Sequence, residues 1–530
     1  MPTLQFKGKS IIWNHHMSVP YHTLEPVPEL DHNTDKANGN IIVEGDNLVA
    51  LKALLPQYAG RVKCIYIDPP YNTGNEGWAY NDNVNSPMIN EWLGKEVAKD
   101  DLTKHDKWLA MMTPRLKLLQ ELLANEGVIF ISIDDIEIAN LRLLCNEIFM
   151  EENFIAQFIW KSRQNKDNRN ITGASIDHEY VLCYGKKIKG SERDYTQYTN
   201  PDNDPRGDWN SANMVGLLDE TQRPNCHYNL INPKTDIDYG KPAMGWRYDP
   251  GTMQSLIDEE KIIWPKNADG RPRRKKFLSE LQSQYTGFSS IIGSDIFTRH
   301  GTKALEELFG SKPLEFPKPV ELIKELISQA TESNDIVLDS FAGSGTTAHA
   351  VMELNKEDDG NRQCILVQMT ENNEKEPEKN ICKDITRERI VRAIEKYDYD
   401  SGFKYLRVGQ ALDAETLLSG ELPSYEAFAN YVYYLATGEH LDDDSSIDPE
   451  SYFVGNKGTR NLYLIYSDTI DTLQSLALNF EKAEAFRAHA GDAKITVYAP
   501  ACFLDDEYLQ EHNIEFVSIP YNLFNKAEEA

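Results

Sequence analysis

The sequence predicts an α/β fold with a largely parallel sheet, and three observations carry that prediction. Short apolar runs alternate with helix-spaced segments over residues 40–184 and again over 313–400. One apolar run, Ile336 to Asp339, leads into glycines two apart, Gly343 and Gly345. Another, Val62 to Ile67, ends at Asp68-Pro69-Pro70.

Taken in order, Ile41-Ile42-Val43 reads as a strand, Glu44-Gly45-Asp46-Asn47 as a turn, and Leu48 to Leu55 as a helix. After the strand at 62–67, Lys107 to Asn125 is an amphipathic helix stopped by Asn125-Glu126-Gly127. Val128 to Ile133 is a strand, 136–149 a helix, and Val181 to Tyr184 a strand. From 185 to 312 the periodicity degrades, and Asn, Asp, Pro and Gly are frequent. Regularity returns with a helix from Val320 to Ala330, the strand Ile336–Asp339, a helix from Thr346 to Leu354 and a strand from Cys364 to Met369. The simplest organisation is one α/β domain, residues 1–184 and 313–400, interrupted by a module at 185–312. Residues 401–530 form a small C-terminal α/β domain, with strands expected at Leu462–Tyr466, Lys494–Tyr498 and Ile514–Ile519. The DDDSS run at 442–446 reads as a solvated loop.

With 530 residues the chain can bury two to four separate cores. It contains no run of 18 apolar residues, so no membrane span is expected. The first twenty residues lack a basic stretch followed by an apolar one, so no signal peptide is expected either. Seven cysteines are scattered singly without a CxxC pair. That pattern argues against disulfides and a zinc site, and for buried thiols in a reducing cytoplasm. The net charge of −29 looks unsuited to nucleic acid, but it is unevenly spread. Residues 401–530 hold 22 acidic and 8 basic side chains, whereas 185–316 hold 19 of each and include the basic run Arg271–Lys276. A local nucleic-acid surface is therefore permitted, although basic runs are often only solvated surface.

The segment from Asp339 through Phe341, Ala342, Gly343, Ser344 and Gly345 to Thr346 is a strand, a glycine turn and the start of a helix. Glycines at that spacing let the backbone bend tightly and approach a ligand at the carboxyl edge of a parallel sheet. An ordinary tight turn gives the same pattern. A phosphate loop would need lysine where Thr346 stands, and a dinucleotide fingerprint would need a third glycine. A small ligand such as S-adenosylmethionine remains.

Asp68-Pro69-Pro70-Tyr71 follows a buried-type strand directly. A ring-conjugated exocyclic amine is a poor nucleophile, so it must be held with its lone pair aimed at an electrophile. Asp68 offers one N–H acceptor and the Pro69 carbonyl a second, and the proline pair fixes both in place. Tyr71 offers a face on which an extruded base can stack. Such chemistry needs neither a metal nor a covalent intermediate. A rigid surface turn is the plainer explanation of a tetrapeptide alone.

Together the two motifs resemble the amino-methyltransferases of DNA, in the permuted order of their beta group. Gly45-Asp46-Asn47-Leu48 resembles the family's element for the cofactor's adenosine part. His178-Glu179-Tyr180 resembles the element beside the target base, and Phe316-Pro317-Lys318-Pro319-Val320 the one closing over the cofactor's methionine end. Asn200–Gly207 and Phe277–Glu280 are similar to stretches in modification subunits of type III restriction systems. The resemblance implies a Rossmann-like methyltransferase fold dependent on S-adenosylmethionine, with a target-recognition insert. It implies cofactor contacts from Asp46, Asn47, Lys318, the glycine turn and Gln368. Gln368 stands where the family often carries an acidic ribose ligand, and Glu371 is a possible substitute. His178 and Tyr180 are expected at the target base, although His178 reads equally well as structural. Arg271, Arg273, Arg274 and Lys275 are expected on DNA, with Trp246, Trp264 and Tyr285 as available aromatics.

The activity implied is methylation of adenine N6 in double-stranded DNA, with the target base flipped out. Cytosine-N4 methylation is the nearest alternative, although those enzymes more often carry Ser in place of Asp68. Protein-glutamine methylation uses NPPY in the usual motif order. A non-catalytic DNA-specificity subunit would have no reason to keep both Asp68 and Tyr71. The type III resemblance further implies a separate helicase-nuclease subunit and suggests a homodimer; the position and acidity of residues 401–530 offer them as the partner or dimer surface.

Overall fold

β3, the strand that ends at Asp68, is buried along nearly its whole length, as a strand in the middle of a parallel sheet must be. The computed structural model describes residues 3–73, 104–166, 173–371, 378–412, 422–437, 441, 446–473 and 475–519. It divides into one unit of Met1–Ile188 with Ser289–Ala530, and another of Lys189–Phe288.

In chain order the first unit, after two four-residue helical turns at Lys9–Ile12 and His15–Ser18, runs through β1 (His22–Pro26), β2 (Ile41–Glu44), α1 (Asn47–Tyr58), β3 (Val62–Ile67) and α2 (Lys104–Leu122). β4 (Leu123–Ile133), α3 (Ile138–Phe149), β5 (Phe154–Trp160) and β6 (Glu179–Gly185) follow. The second unit holds β7 (Ser191–Glu192), β8 (Trp209–Asn213), α4 (Pro250–Asp258), β9 (Ile262–Ile263), β10 (Arg273–Phe277) and β11 (Tyr285–Thr286). The first unit resumes with β12 (Ile291–Ile292), α5 (Thr298–Phe309), α6 (Val320–Ala330), β13 (Ile336–Asp339) and α7 (Thr346–Asp358). Then come β14 (Gln363–Gln368), α8 (Glu388–Tyr397) and β15 (Lys404–Ala411).

These strands make a ten-stranded sheet in the order β1-β15-β2-β14-β13-β3-β4-β6-β5-β12. From β15 to β4 all neighbours are parallel, while β6 runs antiparallel between β4 and β5. Leu51, Leu54 and Leu55 of α1 and Leu116 and Leu119 of α2 join Ile65, Ile131 and Val367 of the strands in one core. A six-strand parallel core edged by an antiparallel strand is the predicted α/β fold in its Rossmann-like methyltransferase form.

Four strands of this sheet, β1, β5, β12 and β15, are not among those the sequence predicts. Most residues of β1, β5 and β15 are partly buried or exposed, with Phe158, Trp160 and Tyr405 as buried exceptions, and β12 is two residues long, so partner strands fix them rather than local pattern. β15 lies within the interval 401–530 yet pairs with β2, and both Tyr405 and Arg407 hydrogen-bond the Glu44 carboxylate. β12 and α5 lie within 185–312 yet belong to the first unit, with Ile291 opposite Ile159 on β5. The helix expected to reach Asn125 ends at Leu122, because Leu123 is already paired with Val62 of β3.

Beyond β15 lie α9 (Tyr425–Thr437), β16 (Phe453–Lys457), β17 (Arg460–Leu464), α10 (Phe480–Ala490), β18 (Lys494–Ala499) and β19 (Ile514–Ser518). β16 to β19 form a four-stranded sheet, antiparallel between β16 and β17 and parallel thereafter. This is the small C-terminal α/β lobe. Of the expected solvated loop at 442–446, residues 442–445 lie outside the described residues.

In the second unit β8, β10 and β9 form a three-stranded sheet over Met214, Leu230, Trp246, Met253 and Leu256. Trp246 is 1% exposed and donates its indole N–H to the Tyr228 carbonyl, so it is a core residue and not an available aromatic. Trp264 stacks on Tyr239. All seven cysteines are free thiols and six are buried. Among the described residues, no helix is long and apolar enough to cross a membrane.

Candidate active site

β3 and β13 are neighbours, with Val337 opposite Cys64 and Leu338 opposite Ile65, so the loops leaving their carboxyl ends emerge side by side. The tetrapeptide and the glycine turn, remote in sequence, are thereby brought to one sheet edge.

After β3, Asp68 and Tyr71 turn toward a buried cation. Lys318 Nζ lies 2.8 Å from each oxygen of Asp68, 2.8 Å from the Tyr71 hydroxyl and 3.4 Å from Glu179 Oε2. The Tyr71 hydroxyl accepts from Lys318 and shares its own proton between Asp68 Oδ1 and Glu179 Oε2, each 3.0 Å away. Burial opposes the charge on Lys318, but the carboxylates of Asp68 and Glu179 overcome it and raise its pKa above the ordinary lysine value. Burial, reinforced by the same two carboxylates, pushes the Tyr71 phenol well up, so it stays protonated. Two struts fix the loop. Fully buried Trp108 donates its indole N–H to the Pro70 carbonyl at 2.7 Å. Asn72 adopts φ 62° and donates Nδ2 to Glu137 at 2.5 Å.

After β13, Gly343 and Gly345 hold φ of 52° and 80°, the left-handed region in which a side chain is strained. The Gly343 amide donates to Gln368 Oε1 at 2.7 Å, and its carbonyl accepts from Thr386 Oγ1 at 2.6 Å. Asp339 accepts from the Phe341 amide and from Thr347 Oγ1, so it knits the turn from beneath. Phe341, Ala342 and Ser344 are buried. Thr346 Oγ1 reaches the Lys318 carbonyl at 3.3 Å, so one residue touches the glycine turn with its backbone and Asp68 with its head.

Burial raises Asp339 to about 7, against hydrogen bonds that favour its charge. The folded protein therefore binds a proton that the unfolded chain releases near pH 4, and stability falls as pH rises from there through about 7. Asp339→Asn removes that dependence. The variant's melting temperature relative to the parent is expected to be more favourable at pH 8.5 than at pH 5. An equal difference at both pH values would exclude a raised pKa at this position.

The other predicted residues distribute unevenly. Asp46 caps α1 by accepting from the Leu48 amide at 2.8 Å. Asn47 is buried and donates to the Ser340 carbonyl while accepting from Arg115 at 2.5 Å, so it ties the start of α1 to the residue after β13 and to α2. The Gln368 amide is engaged at both ends: its Nε2 donates to the Met369 carbonyl and to Glu371 Oε1. Of His178-Glu179-Tyr180, the middle residue joins the Asp68 cluster. The hydrogen bonds of His178 and Tyr180 run to each other and on to Asp135. The sequence points to the flanking pair and gives no sign of Glu179, although two-residue alternation along β6 puts it on the opposite face. In the second unit, Lys275 binds Asp202 and Asp204, Arg274 binds Glu280 and Tyr248, and Arg273 binds Ser211. Arg271 and Arg273 are exposed.

A Rossmann-like sheet with a glycine turn and a DPPY loop on adjoining strand ends defines a methyltransferase architecture. The chain belongs to the DNA methylase family, whose model matches residues 62–389. It is 34% identical over 415 residues to the type III restriction-modification enzyme StyLTI Mod subunit of Salmonella typhimurium, covering 72% of this chain and 62% of that one. It is 30% identical over 532 residues to the EcoP15I Mod subunit of Escherichia coli, covering 88% and 78%. It is 33% identical over 356 residues to the type II methyltransferase M.KpnI of Klebsiella pneumoniae, covering 63% and 81%.

Proposed function

We propose that the chain transfers a methyl group from S-adenosylmethionine to the N6 amine of an adenine flipped out of double-stranded DNA, as the modification subunit of a type III-like restriction system. The observation that carries this reading is the cluster of Asp68, Tyr71, Glu179 and Lys318, set on the strand end beside the glycine turn.

The residues fit the methyl donor. Two left-handed glycines open the turn to it, and the Glu371 carboxylate, beside Gln368, is the acidic group suited to ribose hydroxyls. When bound, the donor supplies an electrophilic methyl carbon on a sulfonium sulfur. Asp68 accepts one N–H of the target amine and the Pro69 carbonyl the other, which turns the nitrogen lone pair toward that carbon. Asp68 would take the proton that the nitrogen sheds on accepting the methyl group, so the methylated amine is released neutral. Tyr71 presents its ring to the base. Because Lys318 holds both oxygens of Asp68, the arriving amine displaces it, and Glu179 retains the ammonium.

Weighing the nucleosides of DNA methylated by the purified chain tests the proposal. N6-methyladenine supports it, and N4-methylcytosine in its place would overturn it. The partners in this reading are double-stranded DNA and a helicase-nuclease subunit, tested by co-purification from a host encoding both; a second copy of the chain is the other candidate for the C-terminal lobe.

For the second unit as DNA reader, the pairing of its cations decides which matter. The double variant R271A/R273A is expected to reduce the slope of log affinity against log salt by about 1.8, whereas K275A leaves it unchanged. A loss of slope in K275A equal to that of the arginine variant would reject this assignment.

A further inference from the structure

Arg389, near the start of α8, is completely buried, and no carboxylate pairs with it among the described residues. Its Nη1 donates to Ser344 Oγ at 2.6 Å and to Thr346 Oγ1 at 2.7 Å, while Nε and Nη2 find no hydrogen-bond partner among the described residues. Glu321 acts on it only through space, without an ion-pair contact; a buried guanidinium lacking a paired carboxylate is costly, so its retention beneath the glycine turn needs a further electrostatic reason. The nearby ammonium does not share the task, since Lys318 is held by Asp68 and Glu179.

The hydroxyls show what the guanidinium does. Arginine only donates, so the oxygens of Ser344 and Thr346 must accept from it and turn their own protons elsewhere. The present acceptors of those protons are distant: 3.2 Å between the two hydroxyls and 3.3 Å from Thr346 to the Lys318 carbonyl, well beyond the usual O–H···O length. Both protons are thus readily given to a stronger acceptor. They also stand at the positive end of α7, a helix of 13 residues.

We propose that Arg389 is the counter-charge for the carboxylate of the methyl donor's amino-acid end, acting through the Ser344 and Thr346 hydroxyls as proton-donating relays. Arg389 is a positioning residue in this scheme, and the scheme rests on the proposed cofactor. S-adenosylhomocysteine carries that carboxylate, whereas 5′-methylthioadenosine keeps the adenosine and thioether without it. Calorimetric titration of the full-length protein with each compound separates the roles.

In Arg389→Met, S-adenosylhomocysteine is expected to bind about 10- to 100-fold more weakly, the range for a charged hydrogen bond, with 5′-methylthioadenosine within about twofold of the parent. Arg389→Lys recovers part of the loss. Should Arg389→Met fail to fold, the double variant S344A/T346V is expected to show the same selective loss. Equal weakening of both compounds, or of neither, would overturn the proposal and leave the cofactor reading standing. Failure of the parent protein to bind either compound would instead overturn the cofactor reading, and this inference with it.

Discussion

Asp68→Ala is expected to lower methyl transfer to DNA by about a thousandfold or more while the protein keeps its fold and its affinity for S-adenosylmethionine. The carboxylate lies at the end of a buried strand, with Trp108 and Asn72 bracing the loop after it, so truncation changes the acceptor and not the backbone. Lys318 then loses its nearest counter-charge but retains Glu179 at 3.4 Å, which limits the cost in stability to about 1–3 kcal/mol. Incorporation of labelled methyl groups, calorimetric titration and thermal melting report the three quantities separately. The pair also makes a two-sided test. Asp68→Ala with Lys318→Ala should melt closer to the parent than the sum of the single changes, because both halves of the ion pair are gone, yet remain inactive. Activity near the parent level in Asp68→Ala would remove the carboxylate from the mechanism.

Gly301→Ala is the second large effect, at a residue outside the cluster itself. On helix propensity alone alanine should stabilise α5 by about 1 kcal/mol. Packing says the opposite. A Cβ at this position would stand 2.1 Å from the Pro317 carbonyl oxygen and 2.8 Å from the carbonyl carbon and oxygen of Lys318, all backbone atoms. The strand of chain that carries Lys318 must move, and its ammonium leaves the 2.8 Å contacts with Asp68 and Tyr71. A misplacement of about 1 Å at a reacting centre costs on the order of 100-fold, and overpacking about 1–3 kcal/mol of stability. A lower melting temperature with a matching fall in methyl transfer is the expected result. A variant that melts higher than the parent and stays active would show that the helix and the Lys318 segment separate freely.

Glu179 and Arg389 mark the boundary between what can be read and what must be folded. Glu179 stands in a recognisable stretch, but neither spacing nor residue type distinguishes it from its neighbours His178 and Tyr180. Only the pairing of β6 between β4 and β5 turns the glutamate to the Asp68 side. Nothing in the sequence analysis singles out Arg389, and its burial under Ser344 and Thr346 depends on how α8 packs against the glycine turn. The hydrogen bonds of Asp46 and Asn47 lie beyond local reading in the same way: Asp46 caps α1, and Asn47 ties the start of that helix to the Ser340 carbonyl and to Arg115 of α2.

By itself the sequence determined the parallel α/β core, the DPPY loop and the glycine turn, because each is a local pattern: burial sets strand composition, proline stiffness and glycine freedom set the loops. It also determined that a poorly periodic segment interrupts the core. The tertiary structure alone decided that β3 and β13 are neighbours, that β12, α5 and β15 belong to the central unit, and that Lys318 bridges the two motifs. The reason is physical: strand order, ion pairing and close backbone approach depend on residues hundreds of positions apart, and no local propensity encodes which of them meet.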